Sequence, residues 1–163
     1  MTAEQAGPIE AVMRYFMLDW PLGRRQSSWW RLGAALVVAV VGSVLACAIL
    51  AKLGPLVFPS TAGYVHFRFG DYTKLTVIGV VIAWIAWPVA TLASSRAARP
   101  LFLWAAVVVT VVSFAPDVRI LMKGQSAPAV LVLAVMHVAV AAVTYPALVF
   151  IAPQRRTEDH PDS

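Results

Sequence analysis

Apolar residues fall into four long runs, at 32–53, 75–93, 101–115 and 127–151, and the short stretches between them hold most of the charged and turn-forming residues. A helix rises about 1.5 Å per residue, so roughly 20 apolar residues cross a hydrocarbon core of about 30 Å. Three of the runs reach or approach that length. The pattern predicts membrane-spanning helices over about 32–53, 75–93, 101–116 and 127–151, and with such short connections residues 32–151 read as one membrane domain.

A different pattern precedes the first run. Ile9, Val12, Met13, Phe16, Met17 and Trp20 recur on one face of a helix, with Pro8 in its first turn and Glu10 four residues before Arg14 on the other side. Residues 1–31 therefore read as a cytoplasmic leader whose amphipathic helix either lies in the bilayer interface or packs on the bundle or a partner. After the break at Trp20-Pro21-Leu22-Gly23, Ser27 and Ser28 offer N-caps for the first span. Trp29, Trp30 and Arg31 are residue types that anchor at headgroup level. Residues 152–163 form a polar tail. The expected fold class is an all-α membrane protein, a four-transmembrane-helix bundle with an N-terminal amphipathic interfacial helix.

Within the spans, small and polar residues mark the faces that meet other helices. Gly42 with Ala46, continued by Ser43 with Cys47, gives the first span a face that allows close approach. Polar side chains in hydrocarbon are costly and tend to face the interior. The second span carries Trp84, Trp87, Thr91 and Ser94 on one face, interrupted by Pro88; the third carries Thr110, Ser113 and Asp117; the fourth carries His137 and Thr144. Trp84, Trp87, Thr110, Ser113, Asp117 and His137 thus define a possible intramembrane seam. Counting residues from the turn between the last two spans brings Thr110 and His137 to similar depth. They either hydrogen-bond to each other, or Thr110 and Ser113 bond back to their own helix and His137 is a packing residue.

Pro116-Asp117-Val118-Arg119 falls where the third span should leave the membrane. The Pro-Asp step favours a helix end at Pro116, with both charges at headgroup level. A helix continuing through residues 120–122 would instead carry Asp117 about a turn and a half inside, calling for Arg119, Arg68 or Lys74 as partner. The connection 54–73 is the longest. Its second half alternates, with Tyr64, His66 and Arg68 on one side and Val65, Phe67 and Phe69 on the other, the period of a strand, before the turn residues Gly70-Asp71. It reads either as a contact surface presenting His66 and Arg68 or as an interfacial loop whose aromatics join the membrane belt.

Composition agrees with a lipid environment: 60% of residues are hydrophobic, 13% are charged, and the mean hydropathy is +0.76. The formal charge of +5 does not form a nucleic-acid surface, because its basic residues flank the spans. Arg14, Arg24, Arg25, Arg31, Arg96, Arg99, Arg155 and Arg156 lie on one set of flanks, against Lys52, Arg68, Lys74, Arg119 and Lys123 on the other. The positive-inside rule then places both termini in the cytoplasm and the protein, multi-pass, in the plasma membrane. The long leader with its tryptophans argues against a signal peptide. Cys47 is the single cysteine, which leaves no internal disulfide and no paired-cysteine metal or redox site.

Two elements carry a resemblance. The Pro-Asp step late in the third span, and the run from Leu133 through Met136-His137 to Ala142 followed by Pro146-Ala147-Leu148, resemble a group of small actinobacterial four-helix integral membrane proteins of unknown function, over about residues 30 to 150. Ten arginines against three lysines fit a GC-rich genome. The resemblance implies the bundle and no activity.

Enzymatic chemistry would need residues the chain does not supply in pattern. There is no Ser/His/Asp set, catalytic carboxylate pair or phosphate-cradling glycine loop, and one intramembrane histidine is too few for axial ligation of haem. No catalytic, cofactor or metal residues are assigned. The expectation is a non-catalytic accessory or scaffolding subunit of an envelope assembly, in contact with lipid and with a larger membrane protein or a second copy, and with no nucleic acid. The alternative is binding or transport of a small lipophilic or protonatable molecule through the seam.

Overall fold

The computed structural model describes residues 27–94 and 97–154. The amphipathic leader helix, Arg96 and the tail beyond Gln154 lie outside the described residues. Every regular element is helical, and no strand occurs among the described residues. In chain order these are α1 (Trp29–Val57), α2 (Phe69–Ala93), α3 (Ala98–Ser113), α4 (Ala115–Met122) and α5 (Ala127–Pro146), with a π-helical turn at Ala147–Ile151. With α3 and α4 joined end to end, four helices are long and apolar enough to cross a membrane.

The spans run up and down. Arg31 meets Ile151, Ser43 meets Thr144 and Gly54 approaches Val132, so α1 and the last span are antiparallel. Trp84 reaches Leu32 while Thr76 reaches Cys47, which makes α1 and α2 antiparallel as well. One end of the bundle therefore holds residues near 28, 94, 97 and 152, here the terminal end. The other holds the connections 58–68 and 123–126, here the loop end.

The buried face of α1 is a stripe of small residues, Ala35, Ala39, Ser43 and Cys47, each one turn from the next. Small side chains let helix backbones come close in a solvent where apolar burial gives no driving force between helices. At Gly42 the approach is such that a Cβ would lie 2.8 Å from a Val143 methyl. The face predicted from Gly42, Ser43, Ala46 and Cys47 is thus the one α1 turns to its neighbours. Packing gathers around Trp87, Phe102 and Leu148 at the terminal end, Ala39 and Val80 in the middle, and Cys47, Tyr72 and Met136 at the loop end.

Three expectations change. Ser28 occupies the N-cap of α1 as predicted, yet its side chain makes no capping bond. The alternating stretch 64–69 is no strand: Pro59–Thr61 and Val65–Phe67 are 3₁₀ turns, and Phe69 already begins α2. A lone strand would leave its backbone groups unpaired, whereas here the amides of Tyr64, Phe67 and Arg68 bond to carbonyls three residues back. Gly63, at φ 77, supplies the left-handed step between the two turns. Finally, the third span does not end at Pro116. The chain breaks at Phe114 and resumes as α4, with Pro116 in the new first turn, where its missing N–H is no loss.

Candidate functional site

The continuation of the third span carries Asp117 into the bundle. Its residue surface is 5% exposed, and it is the one buried side chain of α4. Its partner is neither Arg119, Arg68 nor Lys74. Asp117 Oδ2 lies 3.3 Å from Nδ1 of His137 on α5, the one ion-pair contact among the described residues. That nitrogen also faces the carbonyl of Leu133, one turn back on its own helix, at 2.9 Å. A carbonyl only accepts, so Nδ1 carries a hydrogen and the neutral ring is the Nδ1–H tautomer. The hydrogen is directed at Leu133, and Oδ2 lies against the ring with no hydrogen bond.

An aromatic ring meets the histidine, and others lie in the connection at the same end. Phe114, at the break, meets the His137 ring edge to face at 6.0 Å. The α1–α2 connection closes over this region: Tyr64 stands edge to face with His66 at 5.3 Å and with Phe67 at 5.2 Å, and its hydroxyl is buried without a hydrogen-bond partner. Burial pushes the Tyr64 phenol above its ordinary range, and the negative charge of Asp117 pushes it the same way. His66 and His137 both act electrostatically on Asp117.

The predicted seam is not one constellation. Trp84 and Trp87 belong to the terminal end, where their indole N–H groups donate to the carbonyls of Leu32, at 2.9 Å, and Ala152, at 2.7 Å. There they act with Arg31, which donates to Ile151 at 2.7 Å, and Gln154, which donates to Thr91 and Ser94, as ties between helix ends. Thr110 and Ser113 donate to carbonyls of their own helix, Ala106 and Thr110, at 2.7 Å each. Thr110 makes no bond to His137. Asp117 and His137 do come together. In the connection, His66 and Arg68 are exposed as expected, and Tyr64 and Phe67 turn inward.

Sequence reasoning missed Tyr64 and Phe114. Strand alternation puts Tyr64 on the same side as His66, whereas a 3₁₀ turn rotates successive side chains by about 120°. The Asp117–His137 pairing escaped depth counting because the third span is two segments joined at Phe114, so depth is not linear in residue number. Among the described residues, no group of three His, Cys, Asp or Glu side chains is placed to hold a metal ion.

Helices of this length and hydropathy, filled with small residues where they cross, define the class: a multi-pass helical membrane protein. The chain belongs to a family of unknown function, DUF6069, whose model matches residues 23–153. No curated protein and no solved structure matches it.

Proposed function

We propose that the protein is a non-catalytic accessory or scaffolding subunit of an envelope assembly, held in the plasma membrane with both termini in the cytoplasm. The observation that carries this reading is how the polar side chains in the spans are used. Trp84, Trp87, Ser43, Thr144, Thr110 and Ser113 are all engaged within the chain. A passage for a ligand needs polar groups free to meet it. The third span also turns little of itself inward: Ala98 and Phe102 are the buried side chains of α3, and Val108, Val109 and Val112 lie outside the bundle. A larger membrane protein or a second copy meets that face in this reading, lipid covers the rest, and nucleic acid has no role. The arginine-rich composition supports an actinobacterial source.

The test is gentle solubilisation of the tagged protein from its native membrane, with mass spectrometry of what accompanies it. A stoichiometric membrane-protein partner, lost when Val109 and Val112 are changed to tryptophan, is expected. A lone protein carrying a reproducible small molecule would overturn the reading. It would favour the second one, binding of a lipophilic or protonatable molecule, which the Asp117–His137 contact supports. Ligand-dependent stabilisation would then be lost in Asp117→Asn and His137→Ala.

A further inference from the structure

The contact that holds α4 to the bundle is unusual for a membrane segment. Of its side chains only Asp117 is buried, while Val118, Leu121 and Met122 lie outside. An apolar residue at that position would dock α4 by packing at any pH. A carboxylate docks stably only when its charge is answered, because an uncompensated buried charge is strongly unfavourable. The answer here is His137, whose Nδ1 gives its hydrogen to the Leu133 carbonyl and lies 3.3 Å from Asp117 Oδ2. A further proton taken up by the ring therefore goes to Nε2. The ring keeps 35% of its side chain exposed, and Nε2 is not among its buried unpartnered atoms.

We infer that Asp117 and His137 form a proton-binding site in which uptake of one proton on Nε2 clamps α4 against α5, and its loss releases α4. The pair passes from one net negative charge to an imidazolium facing a carboxylate, with no net charge. The other titratable groups facing it are Tyr64 and His66, from the α1–α2 connection. From α3 comes the Phe114 ring, since its one charged residue, Arg99, lies at the terminal end. Cys47 of α1 and Tyr72 of α2 pack around Leu133 and Met136. Lys52, Asp71 and Lys74 on α1 and α2, and Arg119 and Lys123 beside Asp117, make no ion pair among the described residues. This site is independent of the accessory role proposed above.

The test places spin labels on Met122→Cys and Val138→Cys, both outside the bundle, in the full chain carrying Cys47→Ser in lipid nanodiscs. Electron paramagnetic resonance reads the spread of distances between α4 and α5. The measurement compares pH 8 with pH 5. Acidification over that range is expected to narrow the distribution, an effect lost in Asp117→Asn and His137→Gln and kept in His66→Gln. Narrowing that persists in Asp117→Asn, or no change with pH in the parent, overturns the proposal. Nitrogen-15 histidine spectra of the unsubstituted protein test it without the Asp117 and His137 variants, with His66→Gln assisting assignment. Nδ1 of His137 is expected to hold its hydrogen throughout while Nε2 gains one; a neutral ring with its hydrogen on Nε2 overturns it.

Discussion

Gly42 and Gly33 stand on the same helix and differ in what surrounds them. A Cβ at Gly42 would meet the Val143 methyl at 2.8 Å, whereas at Gly33 nothing lies within 4 Å. Valine is stiff at χ1, so it yields poorly to an intruding atom. Gly42→Ala is expected to cost about 1–3 kcal/mol, while Gly33→Ala should be neutral or stabilising, as glycine in a helix interior is itself unfavourable. Unfolding titrations in mixed micelles separate the two. One residue further on, Ser43 Oγ and Thr144 Oγ1 are 3.2 Å apart and buried. A double-mutant cycle with Ser43→Ala and Thr144→Val should return about 0.6 kcal/mol of coupling, the usual size for such bonds in membrane proteins. At the loop end, burial first and Asp117 second raise the Tyr64 phenol. Its folded value then exceeds its unfolded value, so the associated stability is fully present below the ordinary tyrosine range and is lost as pH rises through the folded value. Alkaline unfolding followed by absorbance should show that loss, and Tyr64→Phe should remove its share.

The elements divide by how each one ends. At the terminal end Trp87 is 1% exposed and donates to Ala152, itself fully buried. Trp87→Phe leaves that carbonyl without its partner and also opens space beside Phe102. A loss of about 1–3 kcal/mol is expected for the unpaired buried group, measured by thermal unfolding in detergent. The first and last spans were legible almost to their ends, because a continuous apolar run bounded by Ser28 or by Ser126 needs no partner to declare itself. The third was not. Pro116 correctly marks a break, but whether a break ends a span or bends it depends on what the following turn can dock against. In this chain that is His137, on another helix. The connection 58–68 misled for a related reason: alternation is a strand only where a second strand accepts its hydrogen bonds, and none is near.

For the whole molecule the main consequence is that the four spans among the described residues leave both described ends on one side. With Cys47 replaced, a cysteine at Ser163 and one at Ser60 should react with an impermeant reagent from opposite faces of the membrane, Ser163 from the cytoplasmic face in the orientation proposed above. Labelling of both from one face would refute the arrangement. The sequence alone determined the solvent, the four helices and the small-residue face of α1, since hydropathy, span length and side-chain size are local properties that act through the bilayer whatever the fold. Only the tertiary structure decided that Trp84 and Trp87 tie helix ends, that Thr110 and Ser113 turn back on their own helix, and that Asp117 lies against His137. Those outcomes depend on register and bend between helices, which are set by the break at Phe114 and by the close approach of α1 to α5, and no single stretch of the chain encodes them.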